Sequence, residues 1–263
     1  MYNAGMNVET FSPRRDAVIA YRKTAGSSKT LPGVMFLGGF RSDMTGTKAA
    51  YLEEQCAARH QSYLRFDYTG HGASNGKFEQ GNISTWLADA TEVLDKLTEG
   101  PQILVGSSMG GWIALLLALQ RKERLAGLIG IAPAPDFSED IYNKEFGEEE
   151  RRHLAKKGII YRDSQYGEPY PLTLQLFQDA KRHLLLSKPI AINCPVRLIH
   201  GKKDPDVPWH KSVKIREMLT SSDASVTFID DGDHRLSRPE DLALIDKAVV
   251  ELSHMHQLKA SAS

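Results

Sequence analysis

The chain predicts an α/β protein, with a mostly parallel sheet and helices on both of its faces. Three observations carry that reading. Short β-rich runs alternate with helical stretches along most of the 263 residues. Two of those runs, Gly33-Val34-Met35-Phe36-Leu37 and Leu125 to Ile131, are apolar throughout and read as buried strands. A third, Ile103-Leu104-Val105, leads directly into Gly106-Ser107-Ser108-Met109-Gly110-Gly111 and then an apolar helix from about Trp112.

In chain order, Ala17-Val18-Ile19-Ala20-Tyr21 reads as an early strand and Gly33 to Leu37 as the next. Thr47 to His60 has helical spacing, Tyr63-Leu64-Arg65-Phe66 is a strand, and Ile83 to Leu97 a helix. The strand, turn and helix around Ser108 follow, then the strand Leu125 to Ile131. Val196-Arg197-Leu198-Ile199 and Val226-Thr227-Phe228-Ile229 are two more strands. Pro239 to Leu252 closes the chain as a helix, with Ser237 expected as its N-cap and Pro239 in its first turn. Between Pro133 and Pro189 no strand is expected. The apolar positions Leu172, Leu176, Phe177, Ala180 and Leu184 are spaced as on a helix. The expected division is therefore a core of residues 1–132 and 190–263 with a helical cap, 133–189, lying over the C-terminal ends of the strands.

The turn at Ser108 has the form of a nucleophile elbow, G-x-S-x-G between a strand and a helix. A side chain at Gly106 or Gly110 is expected to collide with neighbouring backbone, because the turn is strained. A serine hydroxyl is a weak nucleophile at neutral pH and needs a base, which in turn needs an orienting group. Of nine histidines, His234 is favoured. It follows the strand Val226 to Ile229 in Asp230-Asp231-Gly232-Asp233-His234, where the chain order nucleophile, acid, histidine places the base. His71 sits in an earlier loop, His200 ends a strand, His153 and His183 fall in the cap, and His254 and His256 near the tail. The acid is expected in His200-Gly201-Lys202-Lys203-Asp204-Pro205-Asp206. There Asp204 is preferred to Asp206, which reads as a turn and capping residue. The oxyanion donors are expected to be the backbone N–H groups of Met109 and of Phe40, in Gly38-Gly39-Phe40-Arg41-Ser42. The side chains of Phe40, Met109 and Phe177 are the candidates to line the substrate pocket.

Bulk composition excludes several classes. Lys plus Arg and Asp plus Glu are 33 each, so nothing points to a nucleic acid or a strongly charged membrane surface. No apolar run is long enough for stable membrane insertion. Cys56 and Cys194 read as reduced thiols, and no clustered Cys and His suggest a metal; no cofactor is expected. The start Met1-Tyr2-Asn3-Ala4-Gly5 has neither a secretory nor a transit pattern. A cytoplasmic location is the expectation, with the mitochondrial matrix for a processed form.

Taken together these segments resemble a known family. FLGGFRSDMTGTKA from Phe36, RFDYTGHGASNGKFE from Arg65, EGPQILVGSSMGGW from Glu99, CPVRLIHGKKDPDVPWH from Cys194 and the DHR at Asp233 carry the likeness. Over about residues 16–250 the chain is similar to the abhydrolase-domain-ten family of α/β-hydrolases, known as mitochondrial acyl-protein thioesterases and acyl-glucuronide esterases. The resemblance implies an α/β-hydrolase fold and a Ser108, Asp204 and His234 triad, with Phe40 and Met109 as oxyanion donors. It also implies a small-molecule or S-acylated protein substrate. Amide or peptide hydrolysis on the same triad is the alternative within enzymes, and a non-catalytic ligand-binding protein the alternative outside them.

Overall fold

The computed structural model describes residues 8–14, 16–164 and 167–261. The strands are β1 (Glu9–Arg14), β2 (Ala17–Thr24), β3 (Gly33–Leu37), β4 (Tyr63–Phe66), β5 (Gln102–Ser107), β6 (Leu125–Ile131), β7 (Ile159–Ser164), β8 (Gly167–Thr173), β9 (Val196–Gly201) and β10 (Ala224–Ile229). The helices are α1 (Thr47–Ala58), α2 (Ile83–Leu97), α3 (Met109–Gln120), α4 (Phe137–Asp140), α5 (Glu148–Lys157), α6 (Leu174–Ala180), α7 (His210–Met218) and α8 (Pro239–Ser261). Eight strands form one sheet in the order β1-β2-β4-β3-β5-β6-β9-β10. The pairs β1/β2 and β2/β4 are antiparallel, and every pairing from β4 through β10 is parallel.

The sheet is sandwiched because its central strands are apolar on both sides: β3 is buried at every position, and β5 likewise. One face packs Val34, Phe36, Ile103, Val105 and Ile129 against α1 and α8 through Leu52, Cys56, Ile245, Val249 and Leu252. The other packs Met35, Leu37, Leu64 and Leu104 against α2 and α3 through Trp86, Leu94, Trp112 and Leu116. Helix α3 is buried over nearly its whole length, which explains an apolar run with no polar stripe. The parallel strands β3, β5, β6, β9 and β10 share one direction, so the loops after them gather at one edge of the sheet.

Three expectations change. The segment between β6 and β9 is not purely helical: β7 and β8 pair as an antiparallel two-stranded hairpin, and Leu172, expected on a helix, belongs to β8. Pro169 and Pro171 argue against a strand in the sequence, yet a two-stranded ribbon is all edge and leaves room for residues lacking an N–H. Second, Ser237 does not cap α8. Its hydroxyl donates to the Arg235 carbonyl at 3.0 Å, and Asp241 accepts the Arg238 N–H at 3.1 Å instead. Third, α3 begins at Met109, directly after the elbow.

Side chains fasten the inserted segment to the core. Asp136 accepts the N–H groups of Leu185 and Leu186 at 2.9 and 2.8 Å. Asp179 accepts the Ser84 N–H, at the start of α2, at 2.8 Å, and Trp112 Nε1 donates to the His183 carbonyl at 3.0 Å. Arg41 donates to the carbonyls of Glu168 and Pro169, at 2.9 and 2.7 Å, which holds the hairpin over the loop that follows β3.

Candidate active site

Strand β5 ends at Ser107 and α3 begins at Met109, so Ser108 makes the turn alone. Its φ of 54° and ψ of −119° are strained for a residue with a side chain. The two flanking glycines make the turn possible. A Cβ at Gly106 would lie 2.4 Å from the Gly110 carbonyl oxygen, and one at Gly110 would lie 2.1 Å from that of Leu37. The turn is tied down by its own backbone. Ser108 donates to the Ile131 carbonyl at 2.9 Å, and its carbonyl accepts from Gly111 at 2.9 Å and Ala134 at 3.0 Å. Ser108 is partly exposed while its neighbours are buried.

Asp204 and His234 reach it from the loops that follow β9 and β10. His234 Nε2 lies 3.2 Å from Ser108 Oγ, and His234 Nδ1 lies 2.7 Å from Asp204 Oδ2. An ionised carboxylate only accepts, so Nδ1 carries the proton and Nε2 is left to accept from the serine hydroxyl. Asp204 Oδ1 is filled by the N–H groups of Asp206 and Val207, both at 2.8 Å. Of the two carboxylates in this loop, Asp204 makes the hydrogen bond to His234, and Asp206 donates its backbone N–H to Asp204. Burial works to raise the Asp204 carboxyl, but hydrogen bonding from the imidazoles of His200 and His234 and from Val207 outweighs it. The group is held well below the usual carboxylate range.

The loops bearing these residues are braced. Lys203 N–H donates to the Gly232 carbonyl at 2.9 Å, joining the Asp204 loop to the His234 loop. Lys48 on α1 donates to the Arg235 carbonyl, one residue beyond His234. His200, at the end of β9, is fully buried. It donates from Nε2 to the Val207 carbonyl at 2.9 Å, accepts from Ser212 at Nδ1 at 2.7 Å, and lies 3.2 Å behind Asp204 Oδ2. Asp204, Asp206 and His234 each bring a possible ligand atom within 4.8 Å of the others. In that trio His234 Nδ1 and both Asp204 oxygens already serve hydrogen bonds.

The loop after β3 lies against the elbow: a Cβ at Gly39 would lie 3.4 Å from Ser108 Cβ. Among the described residues neither the Phe40 N–H nor the Met109 N–H has an acceptor. Donors left open beside a nucleophile are what a developing oxyanion requires.

The side chains expected to line a substrate pocket divide. Phe40 is half-buried, with its ring edge-on to Phe78 at 4.8 Å, Phe137 at 5.7 Å, and Trp86 and Tyr170 at 5.8 Å. Met109 is fully buried in the first turn of α3. Phe177 is 3% exposed and packs on Tyr142 and Phe146 within the inserted segment, so its ring serves packing there. Of the other histidines, His153 and His254 are exposed and His183 accepts or donates at Ser84 Oγ, 2.7 Å away; none approaches Ser108. The sequence did not signal the Tyr170 and Phe137 rings, which reach Phe40 only because the inserted segment folds back.

Comparison with known proteins gives the family and the fold. The alpha/beta hydrolase family matches residues 31–243. The palmitoyl-protein thioesterases ABHD10, mitochondrial, of Bos taurus and Homo sapiens are each 38% identical over 236 residues, covering 89% of this chain and 76% of theirs. A crystal structure from Agrobacterium vitis S4 superposes with a TM-score of 0.89 at 40% identity, covering 95% of this chain and 98% of that one. Alpha/beta hydrolase domain-containing protein 10 from mouse superposes at 0.85 and 34% identity, covering 94% and 100%. The cytoplasmic location expected from the N-terminal pattern does not stand, because these curated relatives are named as mitochondrial proteins. No helix among the described residues is long and apolar enough to cross a membrane. With its family match spanning most of the sequence and the same fold in its relatives, the chain belongs to the alpha/beta hydrolase family as an ABHD10-like member.

Proposed function

We propose that Ser108 is the nucleophile of a serine hydrolase that cleaves acyl thioesters and esters, with His234 as base and Asp204 as orienting acid. One observation carries the assignment: the continuous path from Ser108 Oγ to His234 Nε2 at 3.2 Å and from His234 Nδ1 to Asp204 Oδ2 at 2.7 Å. The thioester class is supported by the 38% identity to palmitoyl-protein thioesterases.

Ser108 Oγ attacks the acyl carbonyl as its proton passes to His234 Nε2. The tetrahedral oxyanion is held by the N–H groups of Phe40 and Met109. His234 then protonates the departing thiol or alcohol, leaving an acyl-enzyme. A water deprotonated by the same imidazole releases the acid. Asp204 stays ionised throughout and stabilises the imidazolium without taking its proton. Residues 133–189 act as the cap over this centre, with the Phe40, Phe137 and Tyr170 rings as the apolar surface facing an acyl chain. The substrate is an acylated small molecule or an S-acylated protein.

Ser108→Ala is expected to stay folded and to lose both turnover and fluorophosphonate labelling; labelling that survives would end the nucleophile assignment. Matched acyl-CoA or S-acyl peptide, oxygen-ester and amide substrates of graded chain length are expected to rank thioester and ester far above amide, since an amine is the poorer leaving group. Amide rates equal to thioester rates would replace this reading with an amidase. Failure of the wild type to label, with tight reversible binding of acyl ligands, would replace it with a binding protein.

A further inference from the structure

The loop that presents the Phe40 N–H contains a conformation that its own sequence does not favour. Arg41 has φ of 58°, a left-handed value that is strained for a residue with a side chain. Such a residue persists where its surroundings over-determine it. Ser42 closes the turn behind it, donating to the Gly39 carbonyl from N–H at 3.2 Å and from its hydroxyl at 2.9 Å. The Arg41 guanidinium holds the hairpin carbonyls of Glu168 and Pro169. The Arg41 backbone N–H goes to a side chain from another loop, donating to His71 Nε2 at 3.2 Å.

His71 can accept there only in one protonation state. Nδ1 faces the Thr69 carbonyl at 3.4 Å, and a carbonyl only accepts, so the proton sits on Nδ1 and Nε2 offers its lone pair. The Trp86 indole donates to the same Thr69 carbonyl at 3.2 Å, which helps to fix that group. The His71 ring is 3% exposed and stands edge-on to Tyr68, Phe78 and Trp86 at 5.6, 5.0 and 5.3 Å. This burial pushes the imidazole down to about 4 and keeps it neutral. Phe78 and Trp86 are also rings on which Phe40 rests. One aromatic wall therefore packs both the imidazole and the Phe40 ring.

We infer that His71 is a positioning residue for the oxyanion hole: its Nε2 acceptor holds the Phe40–Arg41 peptide, and so aims the adjoining Phe40 N–H at the carbonyl oxygen bound to Ser108. The inference rests on the catalytic assignment above. His71 itself touches no reacting atom. Its loss should weaken the transition state more than substrate binding, because the aimed donor matters most once negative charge develops on the oxygen.

The test compares His71→Leu, His71→Gln and His71→Asn. A glutamine amide oxygen reaches the place of the imidazole Nε2, whereas an asparagine oxygen stops one bond short. Losing an oxyanion donor outright costs about 10²–10³ in kcat; losing only its aim should cost less. We expect His71→Leu and His71→Asn to lower kcat and the fluorophosphonate labelling rate by about 30-fold with KM within threefold, and His71→Gln to regain most of the loss. Melting temperatures measured alongside exclude unfolding as the cause. A His71→Leu enzyme with kcat within threefold of wild type overturns the inference, as does His71→Gln being no faster than His71→Asn. If His71→Leu fails to fold, the Gln and Asn pair decides alone. Ser108→Ala is assayed in parallel. Turnover surviving there sinks the nucleophile assignment, whereas a dead Ser108→Ala beside an unimpaired His71→Leu sinks only the positioning role.

Discussion

Ser108 is held in a backbone state that a serine avoids, at φ 54° and ψ −119°, and small residues around it absorb the consequence. Gly110 is the least replaceable, because an added Cβ would meet the Leu37 carbonyl oxygen at 2.1 Å, a backbone atom of the central strand. Gly110→Ala is expected to cost at least about 2 kcal/mol in urea denaturation and to lower the labelling rate of Ser108, since either the strand or the elbow must move. At Asp204 the charge matters as much as the shape. Its carboxyl is held below the usual range by hydrogen bonding from His200, His234 and Val207, against the effect of burial. A depressed carboxylate contributes stability above its unfolded pKa and loses it only as pH falls through the lower folded value. Asp204 therefore remains ionised wherever the enzyme works, and the acid limb of a pH–rate profile belongs to another group. Asp204→Asn removes the acceptor that fixes the His234 tautomer. The expected loss in kcat is about 10⁴-fold, the scale seen when the same change is made in a serine protease triad.

At the scale of elements, the β7–β8 hairpin is joined to the catalytic edge through a side chain that sequence patterning treats as a surface charge. The Arg41 guanidinium reaches the Glu168 and Pro169 carbonyls of β8, and the Tyr170 ring stands 5.8 Å from that of Phe40. Arg41→Ala should leave the sheet and α3 as protected as before while hydrogen exchange across residues 159–173 speeds up, because the hairpin loses the side chain that ties it to the β3 loop. Unchanged exchange in the hairpin would mean that packing of Leu172 against the core is sufficient. The sequence reading failed on this element for a definable reason. Prolines at 169 and 171 lower strand propensity, and only pairing with Ile159 to Ser164 makes the ribbon hold. Helix α6 begins at Leu174 directly after β8, with the Thr173 hydroxyl accepting the Leu176 N–H as its N-cap, so the apolar period from Leu172 ran across a strand–helix boundary marked only by that threonine.

Across the whole molecule, burial of neutral His71 makes global stability depend on pH. Its imidazole is moved from an ordinary value near 6.5 to about 4, chiefly by burial. The unfolded chain then binds more protons between those values, so the contribution is complete above about pH 6.5 and is lost as pH falls towards 4. The full difference is about 3 kcal/mol at about 1.4 kcal/mol per pH unit. The buried carboxyls of Asp67, Asp89 and Asp136 are raised by burial and act in the opposite direction. The measurement that isolates His71 is therefore a comparison: from pH 7 to 4.5 the wild-type urea midpoint should fall more steeply than that of His71→Gln. Parallel slopes would mean that His71 is already charged in the native protein or solvated there.

Strands β2 to β6, β9 and β10 and the strand–turn–helix at Ser108 were legible in the amino-acid sequence because each is a local signal, whereas β1, β7 and β8 were not; Asp204 and His234 were picked from the loops that follow two of the legible strands. An apolar run reads as a buried strand, glycines flank a strained turn, and a carboxylate or imidazole follows the end of a strand. Their convergence within hydrogen-bond reach also follows, once parallel strands are known to deliver their following loops to one edge of a sheet. What tertiary structure alone decided is every contact between segments with no shared local pattern: His71 against the Arg41 N–H, His200 behind Asp204, and Arg41 and Tyr170 joining the hairpin to the oxyanion loop. Those contacts depend on long-range packing of side chains whose spacing along the chain carries no period, so no short window of sequence contains them.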